Sequence, residues 1–309
     1  MPHPDSRRKS NMKILITGTA GVVGSRLLPQ LAQRFDVTGL DIQAQTSPSP
    51  TIQADLTDYQ QVKAAAKGMD TIIHMAALLC KPDQDLSIDL NVKATANVLQ
   101  AAVDNGVKRV VYCSTVWATG HGATEPYLPI DEEAPCEPIC MYGVTKLMGE
   151  HMAEWYRRMH GLETVVIRFC GFHPVQGYND DGTIDWENAD IPGLFGRYLN
   201  PGQKLMNPVD LGTAFGLAAE KPGISGQRFI VGVSAPFSAD DASALRSIPD
   251  TIVERYYPGI PALLGELGIP IPPIPHFYSH EKARSVLGFR SAHNLGDLAR
   301  LYREWRSEQ

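Results

Sequence analysis

The stretch Lys13-Ile-Leu-Ile-Thr17-Gly18-Thr19-Ala20-Gly21-Val22-Val23-Gly24 reads as a short apolar strand that breaks at once into a glycine-rich turn. Gly24 to Gln33 then carries Leu27, Leu28 and Leu31 at helical spacing, and Asp36-Val-Thr-Gly-Leu-Asp41 reads as a second strand. Glycine in such a strand-turn-helix lets the chain turn sharply, lets backbone N–H groups approach a pyrophosphate, and lets the helix pack against the strand. Asp41 ends the second strand about 20 residues on, where a carboxylate accepts from ribose hydroxyls. A carboxylate there repels the extra phosphate of NADP, and Ile42 supplies no positive charge, so NAD is the expected cofactor. Gly18, Ala20, Gly21, Val22, Val23, Gly24, Asp41 and Ile42 are the expected contacts.

Outward from this unit the alternation repeats. Helix is expected at Tyr59–Lys67, strand at Thr71–Met75, helix at Leu90–Asn105 and strand at Arg109–Cys113. A long amphipathic helix follows at Met141–His160, then a strand at Glu163–Arg168. Strands alternating with helices predict an α/β, doubly wound parallel sheet. From Gly171 to Pro208, Gly, Pro, Asn and Asp dominate, which reads as a functional insertion. Helix and strand return at Val209–Glu220 and Arg228–Val231. Prolines between Pro258 and Pro275 argue against regular helix there, and helical character closes the chain at Ser279–Leu287 and Leu295–Arg306. The expected organisation is a disordered segment at 1–12, a nucleotide-binding domain at 13–171 plus 209–231, and a smaller, interleaved substrate-binding subdomain at 172–208 plus 232–309.

Composition restricts the partners. Among 309 residues, 43% are hydrophobic, and 28 Lys+Arg against 34 Asp+Glu give a net charge of −6. That balance offers no basic footprint for nucleic acid or an anionic membrane. The polar start, Met1 to Asn11, and the lack of a run near the roughly 20 apolar residues that span a bilayer point to a cytoplasmic protein with a small-molecule substrate. The five cysteines (Cys80, Cys113, Cys136, Cys140, Cys170) show no C-x-x-C pair, so no metal site is expected. Cys113 and Cys170 read as small buried hydrophobes.

Tyr142 and Lys146, four apart at the start of the long helix, share one face. A phenol is a poor base near neutral pH, but a nearby ammonium stabilises the phenolate. Lys146 is therefore expected to activate Tyr142 as acid/base. Thr115, where Val111-Tyr-Cys-Ser-Thr115 runs into a loop at the carboxyl edge of the sheet, would hydrogen-bond the reacting oxygen, with Ser114 beside it.

On these motifs, together with Asp55-Leu56, His74-Met-Ala-Ala77, Asn91-Val92, Arg168 and Lys282 to Phe289, the chain resembles extended short-chain dehydrogenases/reductases of the NAD-dependent epimerase/dehydratase family, with a Rossmann fold. The resemblance implies that Asp55 and Leu56 contact the adenine end and that Met75, Ala76 and Ala77 line the diphosphate and ribose path. It also places Asn91, Cys113, Phe169, Tyr142 and Lys146 by the cofactor, and implies homodimers through Leu90–Asn105 and the long helix. Val116 and Trp117 stand where dehydratases of the family carry an acidic pair, which disfavours dehydration. Gly171 stands where nucleotide-sugar members have asparagine. The spacing around Thr115 and Gly171 is similar to that of uronate dehydrogenase-like members. Ser114, Thr115, Val116, Trp117, Gly171 and His173 are the expected substrate contacts. The expected activity is hydride transfer at a secondary alcohol or ketone of a small sugar-like or sugar-acid molecule. A nucleotide-sugar epimerase and a non-catalytic NAD-binding regulator are the alternatives.

Other polar residues receive blander readings. His74 is read as packed near the cofactor. His121 and His173 each admit substrate contact or an ordinary loop role. Arg168 admits two readings, holding a carboxylate or satisfying strand-end carbonyls, with the second preferred. Asp180, Asp181, Asp185, Glu187 and Asp190 read as a solvated lid, and Met148, Met152, Trp155 and Met159 as core or dimer interface.

Overall fold

The computed structural model describes residues 10–79, 84–124, 126–174, 176–199, 204–205 and 207–309. Residues 1–9 of the segment expected to be disordered, and Cys80, lie outside these. Ser10 is held, its amide donating to the Arg34 carbonyl at 2.7 Å.

Seven strands form one sheet in the order β3-β2-β1-β4-β5-β6-β7. They are β1 Lys13–Thr17, β2 Asp36–Asp41, β3 Thr51–Gln53, β4 Thr71–His74, β5 Arg109–Thr115, β6 Glu163–Phe169 and β7 Arg228–Val231. Parallel registers join β1 to β2 and β4, β2 to β3, and β4 to β5. Val166 donates to Gln227 and Cys170 to Val231, an advance of four residues on both sides, so β7 also runs parallel to β6. Every residue of β4 and β5 is buried, as for central strands of a parallel sheet covered on both faces. The doubly wound sheet expected from the alternation is therefore present. Because the chain builds outward from β1 to β3 and then returns to β4, the order reverses between β1 and β4, where such sheets bind ligands at their carboxyl ends.

The chain divides into two compact units. One comprises residues up to Ser114, Thr145–Val166 and Phe215–Gln227; the other comprises Thr115–Val144, Ile167–Ala214 and Arg228–Gln309. In the first, α1 Gly24–Ala32, α2 Tyr59–Ala65 and α4 Ala94–Asp104 flank the sheet. Leu15, Leu40, Val62, Ile72, Val98 and Val110 belong to one apolar cluster there. Asp58 caps α2 by accepting from the Gln60 and Gln61 amides, satisfying N–H groups that the helix leaves open. The helix expected at Leu90–Asn105 begins earlier, as α3 Gln84–Ile88, and passes through a π-turn at Asp89–Lys93 before α4. The long helix α5 spans Met141–His160 as read from sequence.

In the second unit, the 171–208 stretch holds α6 Ile191–Tyr198, a helix the sequence reading left as loop. Its acidic segment is not simply solvated. Tyr178, Ile184 and Trp186 pack against the cluster of Phe195, Leu298 and Tyr302, while the carboxylates serve local turns: Asp181 accepts from Thr183, and Asp190 caps α6 through the Gly193 amide. After α7 Pro208–Glu220 come α8 Ala242–Ser247, α9 Pro249–Tyr256 and α10 Ile260–Glu266, all short. The last corrects the expectation that prolines exclude helix between 258 and 275: Pro261 sits in the first turn of α10, where no N–H partner is lost. The closing helix α11 spans Leu295–Ser307 behind an Asn294/Asp297 capping box.

Candidate active site

The glycine loop owes its shape to backbone contacts that side chains would block. Gly18 has φ +80°, and a Cβ on it would lie 2.7 Å from the Ala76 Cα, so the loops after β1 and β4 touch backbone to backbone. A Cβ on Gly24 would lie 2.2 Å from the Gly18 carbonyl oxygen. Val23 opens α1 without a side-chain cap, and no acidic residue stands in the first turn, which leaves a positive helix end for an anion. Ala20 and Gly21 are exposed beside it. The Ala20 amide donates to Asp41 Oδ2 at 3.0 Å, and Gln43 donates to Oδ1 at 3.1 Å. Val22 and Ile42 remain exposed. A positive helix end, a glycine cradle and a carboxylate within one hydrogen-bonded unit fit the pyrophosphate and ribose of a dinucleotide.

A buried polar chain, not foreseen in the sequence, supports this loop. Thr17 Oγ1 accepts from the Met75 and Ala76 amides at 3.2 and 3.3 Å and lies 2.8 Å from His74 Nδ1. Thr95 Oγ1 lies 3.0 Å from His74 Nε2 and donates to the Asn91 carbonyl at 2.6 Å. With these acceptors and donors already committed, the Thr17 proton points to Nδ1, and His74 carries its own proton on Nε2. Burial and the charge of Lys146 push His74 down to about 3, so it stays neutral. Asn91 lies in the π-turn, accepts from the Leu78 amide at 2.7 Å, and donates to the Leu78 carbonyl at 2.9 Å and to Thr145 Oγ1 at 3.0 Å. It therefore clamps the loop after β4 to α5. A π-turn is a common device for turning one polar residue inward at a functional place.

On α5, Tyr142 and Lys146 occupy successive turns. Lys146 is buried, and its Nζ lies 4.4 Å from the centroid of the Tyr112 ring. A ring face holds an ammonium without neutralising it. Gly149 allows this approach, since a Cβ there would lie 2.0 Å from the Tyr112 hydroxyl. Burial brings Lys146 down to about 8, with Cys113 and Glu150 opposing. The Cys113 thiol is pushed up to about 11 by burial. Thr115 ends β5, and its Oγ1 accepts from the Trp117 amide at 3.2 Å, which leaves its hydroxyl proton for another partner.

The remaining residues named from sequence are not all brought to one place. The Ser114 hydroxyl is committed to Glu150 at 2.6 Å. Val116 packs with Ile130, Ala134 and Cys170 in an apolar cluster. The Leu56 side chain joins the core with Val62, and Asp55 accepts from the Thr57 amide and hydroxyl. Phe169 is buried, and Ala77 is exposed. Gly171 has φ +109°, and the Lys204 side chain passes over it, 3.4 Å from where a Cβ would stand. The His173 amide donates to the Leu205 carbonyl, and burial, Arg197 and Lys204 lower the ring's pKa. Arg168 donates to the Glu132 carbonyl at 3.2 Å, a loop carbonyl and not the strand-end carbonyls read for it. His121 adopts φ +55°, its ring lies tilted against Trp117 with centroids 4.2 Å apart, and its Nδ1 lies 2.8 Å from the Tyr278 hydroxyl. Among the described residues, no group of three or more His, Cys, Asp or Glu could hold a metal ion.

The family model for the NAD dependent epimerase/dehydratase family matches residues 14–182, more than half of the sequence. The chain belongs to that family. Among curated relatives, it is 34% identical over 152 residues to the N-acetyl-alpha-D-glucosaminyl-diphospho-ditrans,octacis-undecaprenol 4-epimerase of Escherichia coli O157:H7, covering 48% of this chain and 45% of the relative. It is 30% identical over 167 residues to the uronate dehydrogenase of Pseudomonas putida, covering 52% and 62%. The chain thus spans about half the length of the curated relatives it matches. A solved short-chain dehydrogenase/reductase superfamily protein from Agrobacterium tumefaciens with bound NAD superposes with a TM-score of 0.69 at 22% identity, over 95% of this chain and 99% of that one, a likeness of fold. Among the described residues, no helix of this family member is long and apolar enough to cross a membrane.

Proposed function

We propose that this chain is an NAD-dependent oxidoreductase acting at a secondary alcohol or ketone of a small sugar-like or sugar-acid substrate, in the cytoplasm and as a homodimer. The observation that carries the reading is Lys146, a buried ammonium against the Tyr112 ring one helical turn from Tyr142. In this role Tyr142 takes the proton from the substrate hydroxyl during oxidation and returns it during reduction. Lys146 stabilises the phenolate, and Thr115 donates its free hydroxyl proton to the reacting oxygen. NAD, when bound, supplies the acceptor of the electron pair that leaves the carbon. Gly18 to Gly24 and Asp41 hold its pyrophosphate and adenosine ribose. Met148, Trp155 and Met159 are 44%, 49% and 60% exposed on α5, an apolar face suited to a second copy of the helix.

The test is to mix purified protein with NAD and panels of sugars, sugar acids and hydroxy acids while following NADH absorbance. Substrate-dependent NADH supports net oxidation. Interconversion of a nucleotide sugar without net NADH would replace this reading by epimerisation.

A further inference from the structure

Tyr142, Lys146 and Glu150 stand at i, i+4 and i+8 on α5, a single row along one face. Both Lys146 and Glu150 are 1% exposed. The Ser114 hydroxyl, also buried, donates to Glu150 Oε1 at 2.6 Å. Ser114 immediately precedes Thr115, so β5 contributes one hydroxyl to the reacting oxygen and one to the helix. We propose that Glu150, oriented by Ser114, is a positioning residue that keeps the Lys146 ammonium charged and so sets the pH range in which Tyr142 exchanges its proton. This rests on the reading of Tyr142 as acid/base.

The surroundings single out Glu150. The groups that act on Lys146 are His74 from β4, Tyr112 and Cys113 from β5, and Glu150 from its own helix. His74 is neutral because burial holds it down to about 3, and Cys113 is a neutral thiol because burial holds it up to about 11. Glu150 is the carboxylate of this set. Desolvation works to strip the proton from a buried ammonium, and a carboxylate one turn away opposes it. At about 1.5 Å of rise per residue, Glu150 is ~6 Å along the axis from Lys146 and ~12 Å from Tyr142. Its field therefore favours charge on Lys146 more than it disfavours charge on the phenol. Without it, Lys146 loses its proton at lower pH, and the phenol of Tyr142 loses the positive charge that favours its ionised form.

Ultraviolet titration of phenolate in the cofactor-free chain tests this, with Tyr142 isolated as the difference between wild type and Tyr142→Phe. In Glu150→Gln, whose amide oxygen still accepts from Ser114, Lys146 loses a charge ~6 Å away that is worth about one pH unit or more in a protein interior, and phenolate at Tyr142 is expected up to about one pH unit higher because the ammonium beside it is lost earlier. Ser114→Ala, which removes the orienting hydroxyl but keeps the carboxylate, is expected to shift in the same direction by less. A folded Glu150→Gln with an unmoved midpoint overturns the proposal. If circular dichroism shows Glu150→Gln unfolded, Ser114→Ala decides: a rise supports the proposal and an unmoved midpoint overturns it. Absence of any early-titrating phenolate from Tyr142 in the wild type would instead overturn the acid/base reading itself.

Discussion

The amide of Ala20 donates to the Asp41 carboxylate across 3.0 Å, so the turn after β1 and the last residue of β2 form one hydrogen-bonded unit. A change at Asp41 therefore disturbs both ends of the proposed dinucleotide site. Asp41→Ala is expected to weaken NAD binding about tenfold or more, the worth of a hydrogen bond to a charged group. It should also narrow the preference for NAD over NADP. Calorimetric titration with both cofactors measures this, and unchanged discrimination would remove Asp41 from its role.

Gly24→Ala drives a methyl to within 2.2 Å of the Gly18 carbonyl oxygen. The backbone must shift, at a cost of about 2 kcal/mol or more in stability, and the loop loses its approach to a pyrophosphate. Thermal melts with and without NAD check this: the expected variant melts lower and gains little from added cofactor.

Tyr142→Phe removes one hydroxyl from the start of α5. Turnover should fall by about 10³-fold, the range for loss of a general acid/base, while NAD affinity stays within about twofold. An unaffected rate would sink the assignment.

Asp210 lies buried at the start of α7, accepting from the Ala292 amide at 2.8 Å, and burial raises it to about 7 from its ordinary 3.8. Its charged form is thus disfavoured in the folded state. Stability falls as pH climbs from about 4 to 7 and stays lowered above that. Asp210→Asn keeps the acceptor without the charge, so it should raise the melting temperature at pH 8 and change little at pH 4. Equal gains at both pH values would contradict the burial argument.

His74 and His280 shift the opposite way, held by burial to about 3 and about 4. Each contributes stability that is complete above the ordinary histidine pKa of 6.5 and is lost as pH falls toward those values, at up to about 1.4 kcal/mol per pH unit for each. Denaturant unfolding between pH 7 and pH 4 should show the loss, and His280→Phe should flatten the slope by one histidine's share.

Much of the site's framework was legible because strong local periodicity coincides with punctuation. The β1 run meets its glycines directly, and α5 lies between Pro138 and Gly161, so its limits follow from the residues themselves. Four short helices were not legible, and for three of them the cause is the same. Pro192, Pro249 and Pro261 look like breakers, yet each stands in the first turn of α6, α9 or α10, where proline is favoured. Pro50 similarly masked β3, whose three residues carry no pattern of their own. Glu150 stands at the next step of the Tyr142–Lys146 row, and the sequence reading did not name it. Its meaning depends on burial and on Ser114 turning toward α5, which strand alternation alone does not decide.

The π-turn at Asp89–Lys93 makes chain length itself a constraint. One added residue in a helix rotates everything beyond it by about 100°. Deleting a residue between 89 and 93 would therefore leave the segment helical while swinging Asn91 away from Leu78 and Thr145. Substitutions along the outer face of α4 should be absorbed one by one. A single insertion or deletion before it would act like a slipped gear tooth, breaking the link between the β4 loop and the helix that carries Lys146.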